Sequence, residues 1–170
     1  TARCGLIDPL SLSDYLDTGG FGGLEKAREM SQQGIVDAVK NAGLRGRGGA
    51  AFPTGIKWQT VLDTEEQTRY VVCNADEGDS GTFVDRMIME SDPLVLIEGM
   101  AIAALAVGAQ RGYIYVRSEY PQAIQTLRAA IDMAADAGYL QNFDLQIRQG
   151  AGAYICGEET AMLESIEGKR

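Results

Sequence analysis

Residues 113–148 read Tyr-Ile-Tyr-Val-Arg-Ser-Glu-Tyr-Pro-Gln-Ala-Ile-Gln-Thr-Leu-Arg-Ala-Ala-Ile-Asp-Met-Ala-Ala-Asp-Ala-Gly-Tyr-Leu-Gln-Asn-Phe-Asp-Leu-Gln-Ile-Arg, and this stretch decides the fold. Tyr113 to Val116 is a short β-type run, and Phe143 to Arg148 alternates apolar with polar, the pattern of a strand with one buried face. Between them Ile124, Leu127, Ile131 and the pair Ala134 and Ala135 recur on one helical face. Pro121 sits near that helix's first turn and Gly138 stops it near Ala137. Upstream, Tyr70 to Cys73 reads as a buried strand, and Asp92-Pro93 opens an apolar helix that runs to about Gly108. Strand, helix, strand, helix, strand predicts an α/β fold: a Rossmann-like parallel twisted sheet with flanking helices.

Two glycine-rich bends and one polar turn stand out against that frame. Gly43 to Trp58 holds five glycines and three cations, Arg45, Arg47 and Lys57, so it offers exposed amides and positive charge together, as a phosphate needs. Phe52 and Trp58 add stacking faces suited to a flavin or nucleotide. Gly46, Gly48 and Ala51 satisfy G-x-G-x-x-[GA] literally, but a helix ending at Ala42 precedes them where the dinucleotide fingerprint needs a strand. We expect the following helix to start at about Trp58, which also argues against that fingerprint. Asn74 to Asp79 places three carboxylates and one carboxamide at the end of the first strand. Ligands of open α/β sheets bind at such ends. An ordinary acidic loop is the competing reading. Gln149 to Gly157 is the second glycine bend, and it leads into a helix with Glu158 and Glu159 in its first turn. Those acids suit the helix dipole, while the thin backbone suits a flat ring lying close by. Cys156 reads as a buried thiol.

Composition narrows the function. A chain of 170 residues with 45% apolar content buries one core. A net charge of -9 argues against nucleic-acid binding. The apolar run Leu94 to Ala109, broken by Glu98, falls short of the roughly 18 residues of a membrane span. Three separated cysteines and no secretory signal pattern point to a reducing cytoplasm. Histidine is absent, which removes the commonest general base and the triads built on it, so any chemistry here is expected to rest on a cofactor. Residues 1–30 read as an N-terminal lead-in on the surface and 31–170 as the binding domain. The ends, Thr1-Ala2-Arg3 and Lys169-Arg170, read as those of a piece of something longer.

The segments 43–58, 73–90 and 150–170 together resemble the FMN-binding, NADH-oxidising subunit shared by respiratory complex I, NAD-reducing hydrogenases and NAD-dependent formate dehydrogenases. The resemblance rests on Gly-Arg-Gly-Gly-Ala-Ala-Phe-Pro-Thr-Gly-Ile-Lys-Trp, then Asn-Ala-Asp-Glu, then Gly-Ala-Gly-Ala-Tyr-Ile-Cys-Gly-Glu-Glu-Thr, in that order. Asp79-Ser80-Gly81-Thr82-Phe83 and Arg117-Ser118-Glu119-Tyr120-Pro121 look most like the formate dehydrogenase beta subunits. It implies FMN along Gly46, Arg47, Gly48 and Lys57, with Asn74, Asp76 and Glu77 on its polar edge and Tyr154, Gly157 and Glu158 near the ring. It implies NAD(H) against the flavin, with Phe52 stacking on adenine and Asp79 and Glu159 accepting hydrogen bonds. The implied partners are a thioredoxin-like iron–sulfur subunit and a catalytic large subunit. An iron–sulfur cluster is implied in the full-length subunit, with its ligands beyond Arg170. Three alternatives remain at this point: the equivalent subunit of a hydrogenase or complex I, a non-catalytic docking domain of the same fold, and a simple Rossmann dehydrogenase.

Overall fold

In the computed structural model, which describes residues 2–169 and only the backbone of Tyr154, three parallel strands form one sheet. They are β1 (Tyr70–Ala75), β2 (Arg111–Val116) and β3 (Asp144–Gln149), in the order β1-β2-β3. The register is level: Ala75 lies opposite Val116, and Val116 opposite Gln149. The turn after β1, Arg117 and the second glycine bend therefore leave the sheet side by side. β2 takes the centre, so β1 is an edge strand and not the buried strand expected from its apolar residues; of its six, only Ala75 is buried.

Eight α-helices are described: α1 (Leu12–Asp17), α2 (Gly22–Arg28), α3 (Gln32–Asn41), α4 (Thr54–Leu62), α5 (Val84–Ser91), α6 (Pro93–Val107), α7 (Pro121–Asp136) and α8 (Glu159–Ile166). Local chemistry sets their starts. The Ser11 and Ser31 side chains accept from Asp14 N and Gly34 N, and proline opens α6 and α7. Gly108 in the left-handed region ends α6. The parallel order β1-β2-β3 needs crossover helices, and α6 packs beside α7 and against β1 and β2. Ile114 and Val116 face that core, and the alternation of β2 turns Tyr113 and Tyr115 to the other face.

The first thirty residues, expected as a surface lead-in, contribute Tyr15, Phe21 and Leu24 to the core. The Glu98 carboxylate holds them there. It accepts from the Tyr15 hydroxyl at 2.5 Å, from Phe21 N at 2.9 Å and from Leu24 N at 3.0 Å. The lone acid in an apolar helix is thus the cap that joins the N-terminal segment to α6. No described helix is long and apolar enough to cross a membrane.

Candidate functional site

The turn after β1 is built by its own polar groups. Asn74 Oδ1 accepts from Asp76 N at 3.1 Å, and Asn74 Nδ2 donates to Gly157 O at 2.8 Å. One carboxamide thereby fixes the turn and ties it to the second glycine bend, 83 residues away. The Glu77 carboxylate accepts from Asp85 N at 3.1 Å and Arg86 N at 3.2 Å, which caps α5 in place of a cap from its own flanking residue. The backbone O of Glu77 takes a donor from Arg117 Nη1 and the Tyr120 hydroxyl. Burial pushes the Asp76 carboxyl up, and Arg117 pulls it back. Asp79 O accepts from Thr82 N and Oγ1, closing the next turn.

The second bend continues into a 3-10 turn, Tyr154–Gly157, and then α8. Glu158 is the cap of α8: its carboxylate accepts from Thr160 N and Ala161 N, both at 3.0 Å, and these bonds hold it below the usual glutamate range. Its first role is therefore the helix cap, whereas Glu159 is largely exposed. The bend's glycines divide by function. A Cβ at Gly150 would meet the Tyr115 hydroxyl at 2.9 Å, so that glycine makes room for the Tyr115 ring, which bonds Ser165 Oγ at 2.9 Å. A Cβ at Gly157 would meet Asp76 O at only 3.4 Å, ordinary contact, so packing alone does not demand glycine there. The side chain of Tyr154 lies outside the described residues. Cys156 is partly exposed and not the buried thiol expected.

The first glycine stretch forms a hairpin-like loop. Gly46 N donates to Phe52 O at 2.9 Å, Arg45 Nη1 to Ala51 O at 3.0 Å, and Arg45 bridges Pro53. Helix α4 begins at Thr54, four residues earlier than expected, because the fixed φ of Pro53 suits the position before a first turn. Lys57 therefore stands in a helical first turn. The segment before the loop is α3 and not a strand, so the dinucleotide fingerprint still lacks its context. Gly55 clears the backbone of Lys40, where a Cβ would approach Lys40 N to 2.8 Å. Gly48 and Gly49 have nothing within 4 Å of a built Cβ, and Arg47 and Phe52 are exposed beside them.

The two bends meet. Lys57 Nζ stands 3.9 Å from Glu159 Oε1. With Asn74 holding Gly157 O, the loop before α4, the turn after β1 and the bend before α8 come together at the carboxyl ends of the strands. Two concavities of about 210 and 270 Å³ lie instead at the strands' amino ends, around Gly108 and Gln110. Of the two arginines that line the second, Arg69 is spent on the carbonyls of Leu62, Thr64 and Val107, and the glycine bends and the polar turn lie at the opposite end of the sheet. Arg117 and Tyr120 enter the sequence reading only as subgroup markers, and their grip on the turn after β1 is missed there. A basic residue immediately after a central strand was the available signal.

Known proteins share this sequence and fold. Residues 39–170 match the model of the Nuo51 FMN-binding domain. The NADP-reducing hydrogenase subunit HndC of Solidesulfovibrio fructosivorans is 50% identical, over 100% of this chain and 36% of the relative. An NADH-quinone oxidoreductase subunit of Aquifex aeolicus is 52% identical, over 94% of this chain and 39% of its own length, and its Escherichia coli namesake is 47% identical, over 95% of this chain and 39% of its own. The chain thus spans well under half the length of these relatives. A crystal structure of an NAD+-reducing NiFe-hydrogenase in the air-oxidized state superposes with a TM-score of 0.82 at 42% identity, covering 94% of this chain and 28% of that one. The chain belongs to the family of the complex I 51K-type Nuo51 FMN-binding domain.

Proposed function

We propose that this chain binds FMN and NAD(H) as the electron-entry module of a multisubunit dehydrogenase, acting as an NADH dehydrogenase (diaphorase)-type flavoprotein. The observation that carries the reading is the 3.9 Å approach of Lys57 Nζ to Glu159 Oε1, which sets both bends on one slot. The residues present fit the group. Gly48 and Gly49 have open space beside their backbone for a phosphate, and Arg47 and Lys57 add charge. Gly157 brings the bare backbone of the second bend close to Asp76 O, beside the polar groups of Asn74, Asp76 and Glu77. Bound FMN supplies hydride acceptance from the nicotinamide and one-electron release to an iron–sulfur cluster. The chain's own contribution is to grip the phosphate, align the ring and offer Phe52, half exposed, to the adenine.

Glu159 and Asp79 set a negative potential at the slot's rim, which disfavours a 2′-phosphate and selects NADH over NADPH. The S. fructosivorans relative is named for NADP reduction, so the preference is tested directly on this protein. We place the cluster ligands in the remainder of the subunit, and take a thioredoxin-like iron–sulfur subunit and a catalytic large subunit as partners. Formate is the proposed electron source on the latter, on the strength of residues 79–83 and 117–121 alone; the relatives named above are NADH-quinone oxidoreductase and hydrogenase subunits. The native complex is purified, its acid-released FMN measured by fluorescence, and dye reduction followed with NADH and NADPH. Stoichiometric FMN and NADH-dependent turnover are expected. A folded, flavin-free and inactive preparation contradicts the proposal and favours a docking domain.

A further inference from the structure

We propose that Arg117 is the positioning residue that spaces the Asn74–Asp79 turn from the second glycine bend, and so shapes the flavin slot; this rests on the FMN reading above. Arg117 is the first residue after the central strand, between the two site-bearing segments. Its Nη1 donates to the backbone O of Glu77, which the Tyr120 hydroxyl also reaches at 3.3 Å. Its Nη2 donates to Glu119 Oε1 at 3.0 Å. Glu119 Oε1 in turn lies 3.9 Å from where a Cβ of Gly152 would stand, and Ser118 Oγ lies 3.7 Å from it. One guanidinium thus grips the turn directly, and its carboxylate partner stands beside the glycine bend.

Three details separate this from a chance surface pair. The Tyr120 ring lies beneath the guanidinium, 5.2 Å from centroid to Cζ, which fixes the plane of the fork. Arg117 Nε is buried without a hydrogen-bond partner, a cost that a simple ion pair at the surface does not carry. The Arg117 charge also opposes the upward push that burial and Glu119 exert on the Asp76 carboxyl. Two donors held in diverging directions by one planar group are a task for arginine and not for lysine.

The test uses the full-length subunit with Arg117→Ala and Arg117→Lys, FMN affinity by fluorescence quenching well below each melting temperature, and KM for NADH at saturating FMN. Arg117→Ala should weaken FMN binding about tenfold or more, since a charge-assisted contact to the turn is lost. Arg117→Lys keeps the charge and reaches only one partner, so it should restore part of that affinity. KM for NADH should change by less than FMN affinity does in both. Should Arg117→Ala fail to fold, Glu119→Ala removes only the Nη2 partner beside Gly152 and is expected to weaken FMN binding about threefold. Folded variants with wild-type FMN affinity overturn the inference alone, whereas a wild-type subunit that binds no FMN overturns the function proposal with it.

Discussion

Lys57 Nζ and Glu159 Oε1 stand 3.9 Å apart, across 102 residues of chain, and each belongs to the first turn of the helix that follows a glycine-rich bend. Both side chains are more than half exposed, so their mutual attraction in water is worth less than about 1 kcal/mol. The pair reports that the bends converge; it does not hold them together. What holds them is Asn74 Nδ2 on Gly157 O and the packing of α4 on α6.

Lys57→Ala should therefore separate folding from binding. Stability should change by less than about 1 kcal/mol, while FMN affinity should fall by about 1.5–3 kcal/mol through loss of a charge-assisted contact. Denaturant midpoints and flavin titration on the same preparation check this. Equal losses in both would show that Lys57 serves the fold.

Gly157→Ala tests the space above the turn. The added methyl meets Asp76 O at 3.4 Å, so the fold should accept it. A ring that lies against this bend would not, and FMN affinity should drop about tenfold or more because the close backbone approach is blocked. Melting temperature and FMN dissociation constant are the readouts.

Glu158 gives a pH dependence of definite sign. Its carboxylate is held below the ordinary glutamate value of 4.5 by the Thr160 and Ala161 amides. The unfolded chain therefore takes up the proton first as pH falls, so the cap's contribution is full above 4.5 and is lost as pH drops through the depressed value. Hydrogen exchange of the Thr160 and Ala161 amides should accelerate in that window, relative to amides in mid-α6. Glu158→Gln should show the weaker protection without the pH step.

Glu98→Ala should be the most destabilising of these changes. It leaves the Tyr15 hydroxyl and the amides of Phe21 and Leu24 buried without an acceptor, at a cost on the order of 3 kcal/mol. Glu98→Gln keeps an acceptor oxygen and should lose less. Urea unfolding of the full-length subunit measures both, and an unchanged midpoint would show that residues 1–30 are not held to α6 by this carboxylate.

The sheet is legible in the sequence because β3 alternates with period 2, β1 and β2 are short β-type runs and the α7 face carries period 3.6, all strictly local signals. What the pattern does not give is strand order: Tyr70 to Cys73 is as apolar as a central strand, yet lies at an edge. Pro53 reads as a breaker where it starts α4, since one residue serves both purposes and only the chain beyond it decides. The same limit applies to the site. Gly150 and Gly55 look like ligand glycines in sequence, but Tyr115 and Lys40, distant in the chain, require them. Glu158 and Glu77 look like ligand carboxylates, and each caps a helix. Only the folded chain shows which polar groups are already engaged.

The central claim is that the bend before α4 and the bend before α8 form one flavin slot, and a crystal structure of the full-length subunit with FMN tests it most directly. The account predicts the phosphate beside Gly48, Gly49 and Lys57, with the ring against Gly157 and the Asn74–Glu77 turn. A flavin bound at the amino ends of the strands, near Arg69 and Arg111, or a subunit that takes up none, would contradict it.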